Sequence, residues 1–439
     1  MSDRLIRRPS FVEMFTPKLV TVLREGYRLR DLQTDAIAGL TVAIVALPLS
    51  MAIAIACGLS PDRGLYTAII GGFIVSALGG SRFQIGGPAG AFIVLVAATA
   101  TRFGAEGVVL ATLMSGVILL LLGLSRLGGF IRHIPHPVII GFSAGIATII
   151  FASQLRELFG LSLAGKEPGP LLDKLSALIH AAPTANPAAI GVALATLAII
   201  LLLRRWKPLW PAFLIAVTLA SLAAVALGLP VETIGTRFGG IPRSLPAPAL
   251  PAISARGLLE LLPSALSFAL LGGIESLLSA LVADGMTGRR HRSNAELVAQ
   301  GAANIASGLF GGICVTGTIA RTATNVRAGA KGPIAGMAHA LFLLLFMLVA
   351  APLAGYIPLS ALAALLAVVA WNMAERHAFA ALIRERRGEA LVLLATFLLV
   401  LFRDLIEGIL AGCGLALVLY LWRKRRGIRK HPPGRSTGG

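Results

Sequence analysis

From residue 35 to residue 422 the chain is a succession of apolar stretches, interrupted by short polar or Gly/Pro-rich segments. Each stretch approaches the roughly 20 residues a helix needs to cross about 30 Å of hydrocarbon. The pattern predicts spans near 35–57, 65–80, 85–101, 105–124, 135–155, 187–204, 208–230, 257–283, 294–311, 316–329, 333–355, 358–374, 388–403 and 405–422. The runs are continuous, which predicts helices and excludes a β-barrel, whose strands alternate in polarity. A helix also satisfies its own backbone in lipid. The expected fold class is all-α and polytopic, with 14 transmembrane segments.

Two segments break the rhythm at corresponding places: SRFQIGGPAGAFIVLVAATA (81–100) and LFGGICVTGTIARTATNVRAGA (309–330). Each opens with an extended, glycine-dense stretch and passes into a helix too short to cross the bilayer. They are the third and tenth spans, each the third in a set of seven. This suggests 7+7 inverted repeats with half-helices at spans 3 and 10, the arrangement that builds a substrate site near the midplane. Between spans, 156–186 and 231–256 read as irregular outer loops, 11–29 as an interfacial helix on the inner leaflet, and the basic tail after Trp422 as disordered.

Composition agrees: 56% of the 439 residues are hydrophobic and 13% charged, against about 25% charged in soluble domains. A formal charge of +19 raises the question of a polynucleotide partner. Its distribution answers it. With the N-terminus inside, 29 of the 39 Lys and Arg fall on cytoplasmic segments and nine on outer loops, leaving Arg321 within a span. The positive-inside rule accounts for that bias, so no nucleic acid is expected and both termini should be cytoplasmic. No signal peptide is expected either. Cys57, Cys314 and Cys413 are odd in number and scattered through apolar segments, which predicts neither disulfide framework nor metal site.

The candidate chemistry is anion binding. The first N–H groups of a helix lack intrahelical partners, and the helix dipole is positive there. Two half-helix starts facing one cavity would bind an anion with backbone alone. Gly86, Gly87 and Gly90 permit close approach, and Pro88 suits a first helical turn. Thr316, Gly317 and Thr318 take the equivalent part in the second half. The competing reading is that these glycines serve helix packing; their pairing at matching positions favours a site. Arg321, about one turn into the second half-helix, would add fixed positive charge; the alternative is a structural salt bridge. Glu275 can neutralise Arg321 or carry a coupling proton. Low dielectric and a nearby guanidinium pull its protonation in opposite directions, a condition that suits a proton carrier. Ser276 and Ser279 lie near its face. GFSAG at 141–145 matches GxSxG but lies inside an apolar span with no acid–base partners. His133 and His136 bracket Pro135 in a loop, where surface placement is favoured over a metal. No Walker loop is present, so direct use of ATP is not expected.

Four stretches resemble the SulP (sulfate permease) family: DAIAGLTVAIVALPLSMAIAIACGLSPDRGLYTAII (35–70), QIGGPAGAF (84–92), GGIESLLSALVADGMTGRRHRSNAEL (272–297) and GTIARTATN (317–325). The resemblance covers about residues 30–425. It implies a cytoplasmic N-terminal segment (1–34), a core domain of spans 1–4 (35–134) and 8–11 (257–355), a gate domain of spans 5–7 (135–256) and 12–14 (356–422), and a basic tail (423–439). The family implies elevator-type transport and homodimers. Its substrate site lies between the starts of spans 3 and 10, flanked by spans 1 and 8. Here that implies Leu49, Ser50, Gly86, Gly87, Ala89, Gly90, Ala91, Ser279, Gly317, Thr318, Ala320 and Arg321. Glu275 falls where proton-coupled sulfate carriers have a glutamate and sodium-coupled bicarbonate carriers an aspartate. Leu49 and Ile53 replace the Gln and Tyr of the sulfate-type first span, closer to the bicarbonate-type pattern. Members commonly end in a cytoplasmic STAS domain; this sequence stops at Gly439, so regulation through one is not expected.

The expectation is a proton-coupled symporter of a small inorganic or carboxylate anion, without a cofactor. The alternatives are a sodium-coupled bicarbonate carrier, with Glu275 and Ser279 as cation ligands, or an uncoupled anion channel. A membrane enzyme lacks any nucleophile–base constellation.

Overall fold

The computed structural model describes residues 11–129, 135–165, 167–168, 170–208, 210–251, 254–385, 387–403 and 405–425. His133 and the chain after Arg425 lie outside them. In order, the elements are α1 (Phe11–Phe15), α2 (Lys18–Arg24), α3 (Leu29–Ala56), α4 (Pro61–Tyr66), a π-helical stretch (Thr67–Gly71), α5 (Gly72–Leu78), β1 (Gly86–Gly87), α6 (Ile93–Leu124), α7 (His136–Phe159), α8 (Leu171–Ala181), α9 (Pro187–Trp206), α10 (Ala212–Ala226), α11 (Ile234–Phe238), α12 (Ala255–Thr287), α13 (Ser293–Leu309), β2 (Thr316–Gly317), α14 (Ile319–Arg327), α15 (Ile334–Ala354), α16 (Leu359–Met373), α17 (Arg376–Glu385), α18 (Arg387–Phe402) and α19 (Leu405–Arg425). Helices occupy all the predicted spans. Among the described residues, seven are long and apolar enough to cross a membrane by length and composition. Spans 3 and 4 follow one another within α6 as two helical stretches separated by a kink at Gly104, where the backbone leaves helical geometry at a φ of 73°, in the left-handed region open to glycine.

Three local expectations need correction. The segment 11–29 is not one helix: it divides into α1 and α2 around Thr16 and Pro17, because proline stops the preceding turn. The loop 156–186 contains the amphipathic helix α8, capped by a 3-10 turn. Pro88 precedes the helical turn instead of opening it; Ala89 is the N-cap of a 3-10 turn, Gly90–Phe92, that leads into α6.

Two compact units arise. The larger comprises residues 1–132 and 150–370. Within it α6 packs on α12 and α13, while α15 packs on α3 and α5. Lipid gives little hydrophobic drive to helix association, so close backbone approach has to supply it. Gly116 of α6 and Gly301 of α13 face each other, and a Cβ on either would lie 2.7 Å from the other's carbonyl oxygen. Gly39 of α3 sits as tightly on α15, where a Cβ would meet Ala335 O at 2.5 Å. The smaller unit comprises 133–149 and 371–439. There Gly141 and Gly145 of α7 press on Leu393, Thr396 and Val400 of α18. Phe379 meets Phe397 edge-on at 5.5 Å.

Candidate anion site

Extended backbone in an apolar interior needs partners, because each unpaired group costs several kcal/mol there. The stretches before α6 and α14 partner each other. β1 and β2 run antiparallel, Gly86 opposite Gly317 and Gly87 opposite Thr316. Thr318 N–H extends the seam by donating to Ile85 O at 3.1 Å. Side chains satisfy the flanks. Asn304 of α13 donates to Val315 O (3.0 Å) and accepts from Val315 N–H (2.9 Å). Thr67, in the π-helical stretch, accepts from Ile313 N–H at 2.7 Å. The seam therefore joins the starts of the third and tenth predicted spans.

Arg321 is the third residue of α14 and is 3% exposed. Its Nη2 donates to Pro88 O at 3.0 Å and to Ser50 Oγ of α3 at 3.4 Å. Among the described residues its Nε and Nη1 have no hydrogen-bond partner. Gly87 is required beside it, because a Cβ there would overlap Arg321 Nη1. Thr318, the N-cap of α14, also keeps a buried hydroxyl without a partner. The junction thus holds two helix starts, a guanidinium edge and a hydroxyl, all able to donate to an oxyanion. Leu49, Ser50, Ala89 and Ala91 are buried around it; Ala320 lies on the exposed side of α14.

Glu275 on α12 is half-buried, and its Oε2 has no partner. Among the described residues no ion pair joins it to Arg321. The adjacent serines are committed elsewhere. Ser279 donates to Thr322 Oγ1 at 2.9 Å, and that oxygen also accepts from Ile85 N–H at 3.1 Å. Ser276 accepts from Gln84 Nε2 at 2.7 Å and donates to Glu296 Oε1 at 3.3 Å.

Glu296 is a buried carboxylate that the sequence reading passed over. It is fully buried, and it also accepts from Ser81 N–H (3.0 Å) and Gln300 Nε2 (3.3 Å). His339 on α15, fully buried with both ring nitrogens unpartnered, was passed over as well. Both lie inside predicted spans, so tallying every ionisable residue within spans would have flagged them beside Glu275. Cys57, Cys314 and Cys413 are all free thiols. A separate cavity of about 440 Å³, lined by Leu47, Pro48, Met51, Leu214, Phe346 and neighbours, is predominantly apolar and has no cationic side chain in its lining.

A model of the sulfate permease family matches residues 32–396. The chain is 43% identical over 409 residues to a putative sulfate transporter, YvdB, of Bacillus subtilis, covering 93% of this chain and 77% of that one. It is 31% identical to the bicarbonate transporter BicA of Picosynechococcus, covering 90% and 71%. The solved transmembrane domain of a cyanobacterial bicarbonate transporter BicA superposes with a TM-score of 0.79 at 32% identity, covering 87% of this chain and 98% of that one.

Proposed function

Because the chain belongs to the sulfate permease family, we propose that it carries a small oxyanion, of the sulfate or bicarbonate class, across the membrane together with a proton. It is a multi-pass membrane protein of a transporter family, and an enzymatic reading falls away. The observation that carries the proposal is the buried Arg321, whose Nε and Nη1 are unpartnered where two helix starts meet. Buried donors without partners are rare in native proteins, and a charged group so placed in a span is a functional-site hypothesis with an anionic counterpart. Glu275 supports proton coupling: a carboxylate that feels the charge of Arg321 without being ion-paired to it, and that keeps an open oxygen, is available to load and release a proton.

The reading extends to the whole chain. Fourteen spans in two inverted sets of seven are supported by the packing. α6 on α12 and α13 has its counterpart in α15 on α3 and α5, as an inverted repeat requires. Spans 1–4 and 8–11 would then form the moving core of an elevator, and spans 5–7 and 12–14 the gate, in an inner-membrane homodimer with both termini cytoplasmic. The sodium-coupled alternative keeps one supporting observation: Ser279 donates its proton to Thr322, so its lone pairs remain open beside Glu275.

Uptake of labelled sulfate and bicarbonate into proteoliposomes, under an imposed proton or sodium gradient, tests the proposal. Wild-type protein should concentrate one of these anions under an inward proton gradient. Glu275→Gln should still exchange anion but no longer concentrate it. Uptake that follows sodium and ignores protons would overturn proton coupling, and failure to move either anion would overturn the substrate class.

A further inference from the structure

Outside the anion site, the described residues bring three cationic groups together beside the end of α5. Lys18 lies on α2, Arg82 on the segment between α5 and β1, and Arg292 just before α13. Backbone bonds hold them in one place: Lys18 N–H donates to Gly79 O and Arg292 N–H to Gly80 O, both at 2.9 Å. Two of the three charges are engaged. Arg82 is paired with Glu25. Arg292 Nη1 donates to Thr16 O (2.8 Å) and Thr21 Oγ1 (2.9 Å). The Lys18 ammonium is half-buried, and among the described residues it has no hydrogen-bond or ion-pair partner. Apolar side chains flank the cluster. Val12 and Leu23, on the short helices α1 and α2, are 72% and 53% exposed, and Leu29, which opens the apolar span α3, is 72% exposed.

We infer that Lys18, Arg82 and Arg292 form a binding site for the phosphate headgroup of an anionic membrane lipid. The exposed apolar residues place the cluster where acyl chains give way to headgroups. An ammonium left half-desolvated with no carboxylate bonded to it is costly unless an anion joins it. Basic side chains at that depth attract anionic lipid at about 1 kcal/mol each, or about fivefold in affinity. The preceding ten residues are a poor substitute occupant, since they carry Arg4, Arg7 and Arg8 against a single Asp3. The site bears on transport because the chain it grips, Gly79–Arg82, leads directly into β1. On its other side the same segment is held by Glu296, through Ser81 N–H.

The charged groups facing Lys18 are Arg292 and Arg82, which oppose its protonation, and Asp284 and Glu25, which favour it. Burial, reinforced by the two arginines, lowers its pKa to about 8. An anion binds the ammonium and not the amine, so lipid binding should strengthen as pH falls through about 8 and weaken above it.

The test uses the full chain in nanodiscs of phosphatidylcholine, with or without phosphatidylglycerol. An amine-acylating reagent is applied at pH 8, and modification of Lys18 is read by mass spectrometry against the exposed Lys207. Phosphatidylglycerol should slow acylation of Lys18 by about fivefold relative to Lys207. Arg292→Gln should abolish that protection and Arg292→Lys should keep most of it. Equal slowing at both lysines, no slowing at Lys18, or protection unchanged in Arg292→Gln would overturn the site. Equal protection by inorganic phosphate in phosphatidylcholine discs would overturn the lipid assignment in favour of a soluble oxyanion.

Discussion

Arg321 is tethered along one edge only. Nη2 is bound to Pro88 O and Ser50 Oγ, so Nε and Nη1 are held in place without being used up. Removing one partner of a buried charged pair typically costs about 2–5 kcal/mol. Arg321→Ala should therefore raise the anion Kd by about thirtyfold or more, measured by calorimetry on protein whose melting temperature is unchanged. Arg321→Lys should recover only part, because a point charge does not reproduce the planar fork. Gly87→Ala tests the same geometry from the other side: its Cβ would displace Nη1, so it should weaken binding with the arginine still present. Arg321, Glu275 and the glycines were legible in the sequence because charge and glycine stand out in an apolar run. Glu296 and His339 stand out by the same test, but what they and Gln84 do was not legible. Their roles depend on which distant chain segment faces them, as when Ser276 joins Gln84 to Glu296, and periodicity carries no such information.

At the scale of elements, helix identity was readable because lipid enforces it, and each hydropathy run contains a helix, although those of spans 3 and 10 open in extended backbone. The breaks were read less well: Pro17 divides the interfacial segment, and α8 and α17 occupy stretches too polar to register as spans. Helix contacts invite a direct experiment. Gly301→Leu would force α6 and α13 apart, since even a Cβ lies 2.6 Å from Leu120 N. Overpacking of this kind costs about 1–3 kcal/mol or more and should appear as a clear drop in melting temperature in detergent. Gly191→Ala, on α9, meets nothing within 4 Å and should leave that temperature unchanged or slightly raised. If the two substitutions behaved alike, glycine-mediated packing would not be what holds these helices together.

For the whole molecule, orientation rests on the division of basic residues, 29 on one set of loops and nine on the other. In a chain with Cys57, Cys314 and Cys413 replaced by alanine, single cysteines at the exposed Arg243 and Arg289 should react with an impermeant thiol reagent from opposite sides. Labelling of both from one side would overturn the proposed topology. The seam between β1 and β2 has a different consequence. Two pairs of residues, locked in register, set how far apart the two helix starts stand. The backbone thus acts as a gauge of fixed opening. With an anion seated there as proposed, it cannot widen for a larger one without giving up hydrogen bonds that lipid will not replace. Relatives that take anions of different size would have to adjust the side chains bordering the gap, Leu49 among them, while keeping the seam itself unaltered.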